Sequence, residues 1–136
     1  MIFNGKDSVL GRLATYAAKA ALEGEDVVIV NADGIVIVGD KNAIVHKYSE
    51  LRRIGTMSKG PFFPRTVTGI IKRTIRGMVR RKRAHGMDAF RRIRVYEGLP
   101  EEYKNRELVD IAKVRTDRPV HKITVGELAN VLKQRI

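Results

Sequence analysis

The 136-residue sequence predicts an α/β domain, and three observations predict it. Val27-Val-Ile-Val30 and Ile35-Val-Ile-Val38 are short continuous β-branched runs, the pattern of strands covered on both faces. A helical repeat precedes the first run and another follows the second, so strand and helix patterns alternate. Hydrophobic residues make up 43% of the chain, enough to bury a core in a domain of this length and to exclude global disorder.

Ile2-Phe3-Asn4 reads as a short first strand. Ser8 is the expected N-cap of a helix in which Leu10, Leu13, Ala14, Ala17, Ala18, Ala21 and Leu22 recur at helical spacing. Gly24 supplies its stop. Asn31-Ala-Asp-Gly34 has turn chemistry. Its four residues join the two β-branched runs and also permit a hairpin between them. Asp40 is the expected cap of a helix over about residues 41–53, with Ala43, Ile44, Lys47 and Leu51 along one side. Residues 54–64 read as a loop punctuated by Gly55, Gly60, Pro61 and Pro64. Beyond a basic stretch, Ala84-His85-Gly86-Met87 looks like a turn. A short helix is expected over 87–92, with Ala89, Phe90 and Ile93 inward. Arg94-Val-Tyr-Glu97 reads as the last strand, ended by Gly98. Pro100-Glu101-Glu102 suits a helix first turn, and Glu107 to Val114 is weakly helical. Thr124-Val-Gly-Glu127 matches a capping box, followed by Val125, Leu128, Leu132 and Ile136 on one face.

The charge is unevenly placed. Residues 1–51 hold 5 Lys/Arg and 7 Asp/Glu, residues 52–94 hold 14 and 1, and residues 95–136 hold 8 and 7. The middle therefore carries the whole excess of a chain with net charge +12. That footprint fits a nucleic-acid binder. A membrane-surface helix fits less well, because it wants large apolar anchors such as Trp and the chain has none.

Within the basic stretch the cations are ordered. At about 100° per residue from Val67, the residues Val67, Ile70, Ile71, Thr74, Ile75, Met78 and Val79 share one side of a helix. Arg65, Lys72, Arg73, Arg76 and Arg80 fall on the other. Arg81-Lys82-Arg83 extends that cationic face, and no acid intervenes between Arg65 and Met87. Neighbouring cations repel and a solvated face normally mixes its charges, so a polyanionic partner is the simplest account. Phe62 and Phe63 have two readings, anchors of the loop in the core or bases' stacking partners. His85 likewise reads as a phosphate or base contact, or as plain surface.

Several chemistries are missing. Without cysteine there is no disulfide framework or thiolate metal site. No P-loop or Gly-x-Gly-x-x-Gly follows a strand. His46, His85 and His121 share no metal-ligand spacing. No run approaches the roughly 18 apolar residues of a membrane span, and the start lacks a signal peptide's regions, so a soluble intracellular protein is expected. Two readings from different classes remain: a structural RNA-binding protein, or an α/β enzyme on a nucleotide or nucleic acid with a pocket at Asn31 and Gly39. The missing phosphate loop counts against the enzyme.

Leu10-Gly-Arg-Leu-Ala14, Val28-Ile-Val-Asn-Ala32 and Ile37-Val-Gly39 resemble the amino-terminal half of the large-subunit ribosomal protein L-thirteen family. Gly60-Pro61-Phe62, Arg65, Arg73-Thr-Ile-Arg-Gly-Met78, Lys82, Gly86, Ala89, Val95-Tyr96 and Gly98-Leu-Pro100 resemble its signature region in order and spacing. The resemblance covers roughly residues 5–100, and the short chain with Pro64-Arg65 looks archaeal in type. Two positions depart from the family's pattern. Arg80 stands where the family often has proline, which lets the helix run further, and His85 stands where it often has arginine.

The resemblance implies a three-layer α/β/α fold with a mostly parallel four-stranded sheet, plus a C-terminal helix. It implies a non-catalytic structural role, binding of large-subunit rRNA, early subunit assembly, neighbouring large-subunit proteins, and a cytoplasmic place in the ribosome. Neither cofactor, metal, membrane nor small-molecule substrate is expected. One domain spans 1–136: an α/β half (1–53), a basic RNA-binding loop and helices (54–94), and a last strand with a helical extension (95–136). The residues expected on RNA are Arg52, Arg53, Lys59, Phe62, Arg65, Lys72, Arg73, Arg76, Arg80, Arg81, Lys82, Arg83, His85 and Arg91. Lys72, Arg73, Arg76 and 80–83 are expected to clamp phosphates of several rRNA segments at once.

Overall fold

In chain order the elements are β1 (Ile2–Asn4), α1 (Leu10–Leu22), β2 (Val27–Val30), β3 (Val36–Val38), α2 (Lys41–Arg53), α3 (Val67–Met78), α4 (Ala84–Arg91), β4 (Ile93–Val95), β5 (Lys122–Thr124) and α5 (Val125–Gln134). The computed structural model describes residues 1–53, 66–80, 83–109 and 121–134, with 51–53 and 134 described as backbone.

The β-branched run of β2 is buried at all four residues, because this strand is central. It pairs in parallel with β1, Phe3 opposite Ile29, and with β4, Ile29 opposite Val95. Successive side chains alternate between faces. Val27 and Ile29 join the main core with Phe3, Ile93, Val95 and residues from all five helices. Val28 and Val30 meet Tyr103, Tyr96, Leu99 and Leu108 on the other face.

The fold is thus mixed α/β with a mostly parallel sheet, but the details depart from the expectation. Among the described residues the parallel sheet holds three strands, β1, β2 and β4, where four were expected. Beyond β1 its edge is extended by one parallel bridge at Val109, whose N–H donates to the Ile2 carbonyl at 2.7 Å. That bridge lies where the sequence suggests weak helix. The second face is covered by the 96–108 segment, with a 3₁₀ turn at Glu101–Tyr103 in place of the expected α-helical first turn. The hairpin permitted by the Val27 and Ile35 runs does not form. β3 pairs antiparallel with β5, Ile37 opposite Ile123, in a separate two-stranded ribbon. β5 also follows β4, so Arg94-Val-Tyr-Glu97 does not hold the last strand.

The first helix starts and stops differently. Ser8 does not cap α1: it is 1% exposed, its hydroxyl donates to the Asn4 carbonyl at 3.3 Å, and Val9 takes the N-cap position without a side-chain bond. The stop is as expected. Gly24 adopts φ +99°, Gly24 N–H donates to Ala21 O at 3.1 Å, and Glu25 N–H to Ala20 O at 3.2 Å. Those two bonds form a Schellman C-cap. In α2 the buried side is Ile44 and Val45 with Tyr48 partly covered, whereas Ala43 and Lys47 are exposed. The expected loop at 54–64, Ile136 and most of 107–114 lie outside the described residues.

Candidate nucleic-acid interface

α3 forms because Thr66 caps it. The Thr66 hydroxyl accepts the Gly69 N–H at 3.1 Å, closing one of the unsatisfied donors of the first turn. Val67, Ile70, Ile71 and Ile75 are buried and place the helix against α1, α5 and β4. Thr74 is half-buried, its hydroxyl bonded to the Ile70 carbonyl at 3.1 Å. The apolar side is therefore as expected except at Met78, which is 39% exposed, its sulfur 3.8 Å from the Thr15 hydroxyl of α1.

Lys72, Arg73 and Arg76 occupy the opposite side, each half-buried. Long cationic side chains commonly lie this way, stem on the protein and head in water. Arg76 sits in the last turn, where the helix dipole favours a cation. The helix supplies no acid of its own.

The helix does not run on past Met78. Val79 is buried at 2% exposure and its N–H closes on Ile75 O at 3.1 Å. Arg80 then takes φ +56°, a left-handed conformation that proline's ring forbids. Arg80 O accepts the Arg83 N–H at 3.1 Å, and α4 begins at Ala84 rather than at 87. Gly86 marks a close approach rather than a turn. A Cβ there would collide with the carbonyl oxygens of Val79 and Arg80. The missing side chain lets the start of α4 rest on the end of α3.

Arg80, Arg83 and His85 are all exposed around this junction. Arg91 lies at the far end of α4, 73% exposed, 4.0 Å from Asp88 and donating to the Met87 sulfur at 3.7 Å. Lys59, Phe62, Arg65, Arg81 and Lys82 lie outside the described residues, as do the side chains of Arg52 and Arg53. Arg92 behaves differently from its neighbours. It donates to Ala21 O at 3.0 Å and ties the end of α1 to the start of β4. On the flank of α3, the exposed Thr15 of α1 reaches Met78 at the end of the helix, and Arg12, also exposed, lies one turn earlier on α1. Sequence reasoning missed this flank because α1 carries few charges and reads as core.

The alternative pocket would lie at Asn31 and Gly39, but among the described residues β2 and β3 belong to different sheets rather than ending side by side in one. The end of β2 is closed by chain: Asn31 N–H donates to Gly98 O at 3.0 Å, Ala32 N–H to Tyr96 O at 3.1 Å, and the Asn31 amide to Asn4 Oδ1 at 3.1 Å. Among the described residues, no helix is long and apolar enough to cross a membrane.

The family model described as Ribosomal protein L13 matches residues 1–102. The chain is 37% identical to the large ribosomal subunit protein uL13 of Picrophilus torridus, covering 95% of this chain and 94% of that protein. It is 40% identical to the uL13 of Methanococcoides burtonii, covering 96% of each. Against the uL13 of Methanosarcina barkeri the identity is 44%, over 82% of this chain and 80% of the relative. All three organisms are archaea, in line with the archaeal resemblance of the sequence. Matched over three quarters of its length by the family model and over nearly all of it by the first two of these relatives, the chain belongs to the Ribosomal protein L13 family.

Proposed function

We propose that the chain is a structural constituent of the large ribosomal subunit that binds large-subunit rRNA through the outer face of α3 and its junction with α4. The family is a structural, non-enzymatic one, and the chain is not an enzyme. The observation that carries the RNA reading is the division of α3. Its buried side is fully occupied by core contacts, and its other side presents Lys72, Arg73 and Arg76 in a stretch with no acid from Arg65 to Met87.

Such a face suits phosphates. Arginine's planar fork grips a phosphate through two N–H groups, and several contacts together fix position while RNA shape supplies specificity. In this reading Arg80, Arg83, His85 and Arg91 continue the clamp along α4. Arg52, Arg53, Lys59, Phe62, Arg65, Arg81 and Lys82 complete it. The whole chain acts as one domain in the cytoplasmic ribosome, beside neighbouring large-subunit proteins, and supports early subunit assembly. Co-sedimentation tests the assignment. The chain should stay with large subunits through a high-salt wash, since a ribosomal protein is held by many contacts at once. Release of the intact protein in the first low-salt wash would contradict it.

A further inference from the structure

Two of the large apolar side chains exposed among the described residues, Met78 and Met87, sit in the cationic region, each 39% exposed. Met87 is the more telling. It lies on the outer side of α4, flanked at i−4 by Arg83 and at i+4 by Arg91, both exposed. Met87 and Arg91, four apart, lie on one face of α4, and Arg83 is its N-cap, its carbonyl accepting the Met87 N–H at 2.9 Å, so the three follow one another along the helix as cation, thioether, cation. The two arginines are separated along the axis by about 12 Å. Arg91 reaches back, its guanidinium 3.7 Å from the Met87 sulfur, so the row is continuous. Its other contact, Asp88 at 4.0 Å, is an exposed ion pair that a phosphate can replace at little cost.

A single polyanionic strand alternates charge with flat apolar surface, phosphate with nucleoside. The row on α4 alternates in the same sense. A duplex hides its base faces by stacking, whereas loops and bulges offer them to side chains. Methionine is suited to such a surface, being unbranched, polarizable and favourable against aromatic rings. We infer that Arg83, Met87 and Arg91 form a contact for an unpaired RNA segment, with the Met87 side chain against a nucleoside and an arginine on the phosphate at either side. The inference rests on the RNA reading above and deepens it.

Charge and apolar contact respond differently to salt, and this separates the two claims. Neutralised phosphates set the slope of log affinity against log salt, and an apolar contact leaves the slope alone. The probe is deproteinised large-subunit rRNA, titrated with the full chain across a salt series. Met87→Ala should weaken binding by about fivefold, the order expected from burying part of one side chain, at an unchanged slope. Met87→Leu should bind within about twofold of the original, because it restores apolar contact. Arg83→Ala should lower the slope by about one unit. Met87 and Arg83 are exposed, and alanine is a better helix former than methionine, so all three variants should keep the fold, which a thermal melt of each checks. A steep slope in the original chain with unchanged affinity in Met87→Ala overturns this inference alone. Affinity for rRNA that is flat with salt in the original chain overturns the RNA reading, and this inference with it.

Discussion

α3 and α5 are built by the same device and turned to different uses. Each starts on a threonine whose hydroxyl accepts the N–H three residues on, Thr66 from Gly69 and Thr124 from Glu127, both at 3.1 Å. Each buries an aliphatic stripe, Ile70, Ile71 and Ile75 in one and Val125, Leu128 and Leu132 in the other. Their outer faces differ. α5 mixes its charges, and Glu127 lies 3.3 Å from Lys41 of α2. α3 carries Lys72, Arg73 and Arg76 with no acid on the helix. Core packing therefore explains the inner half of both helices. On the proposed RNA reading, the mixed outer face of α5 serves the fold and the one-signed outer face of α3 serves a partner outside it.

The largest effect should come from breaking the shared inner half. Ile75→Asp places a carboxylate at a site with 0% exposure and removes a packed side chain. The cost should be at least about 3 kcal/mol, against the roughly 5–15 kcal/mol that a domain of this size holds. A denaturant melt should show a collapsed midpoint. A near-normal midpoint would mean that the stripe of α3 is not core.

The caps offer a matched pair. Thr66→Ala and Thr124→Ala should each cost about 1 kcal/mol, since each frees one first-turn donor. Thermal melts should fall by similar amounts, while rRNA binding should suffer more from Thr66→Ala, which loosens the interface helix. Equal loss of binding from both caps would erase the distinction between the helices.

The smallest effect belongs to α5's outer face. A double-mutant cycle on Lys41 and Glu127, side chains 60% and 54% exposed, should return a coupling of about 0.2–1 kcal/mol. It should shrink with added salt. A coupling of several kcal/mol would make this pair a structural anchor rather than a surface balance.

Local pattern carried much of this into view. The buried run of β2, the alternation of α1 and the two faces of α3 follow from spacing alone, and each was legible. What was not legible depends on partners distant in the chain. β3 follows β2 after only five residues, yet β3 pairs with β5, some 85 residues later in number. No local signal reports that choice. Ser8 has the right chemistry for a cap, but tertiary packing buries it and gives its hydroxyl to Asn4. Gly86 reads as turn chemistry because sequence cannot distinguish a glycine needed for left-handed backbone from one needed for close approach. Arg80 shows the converse: a residue with no turn preference holds φ +56° and ends a helix that its side chain suits well. The cationic face of α3 was legible as a composition and as a spacing, whereas the corner beside it, set by Gly86 and the buried Val79, was not.

The central claim is that the outer face of α3 binds RNA and contributes nothing essential to the fold. The most direct measurement is the salt dependence of rRNA binding by the Arg73→Ala, Arg76→Ala double variant, with its thermal melt. The account predicts a normal melt, weakened binding, and a slope of log affinity against log salt reduced by about two units, one per lost phosphate contact. A melt far below normal, with the residual folded fraction binding rRNA at the original slope, would contradict it and return those arginines to the fold.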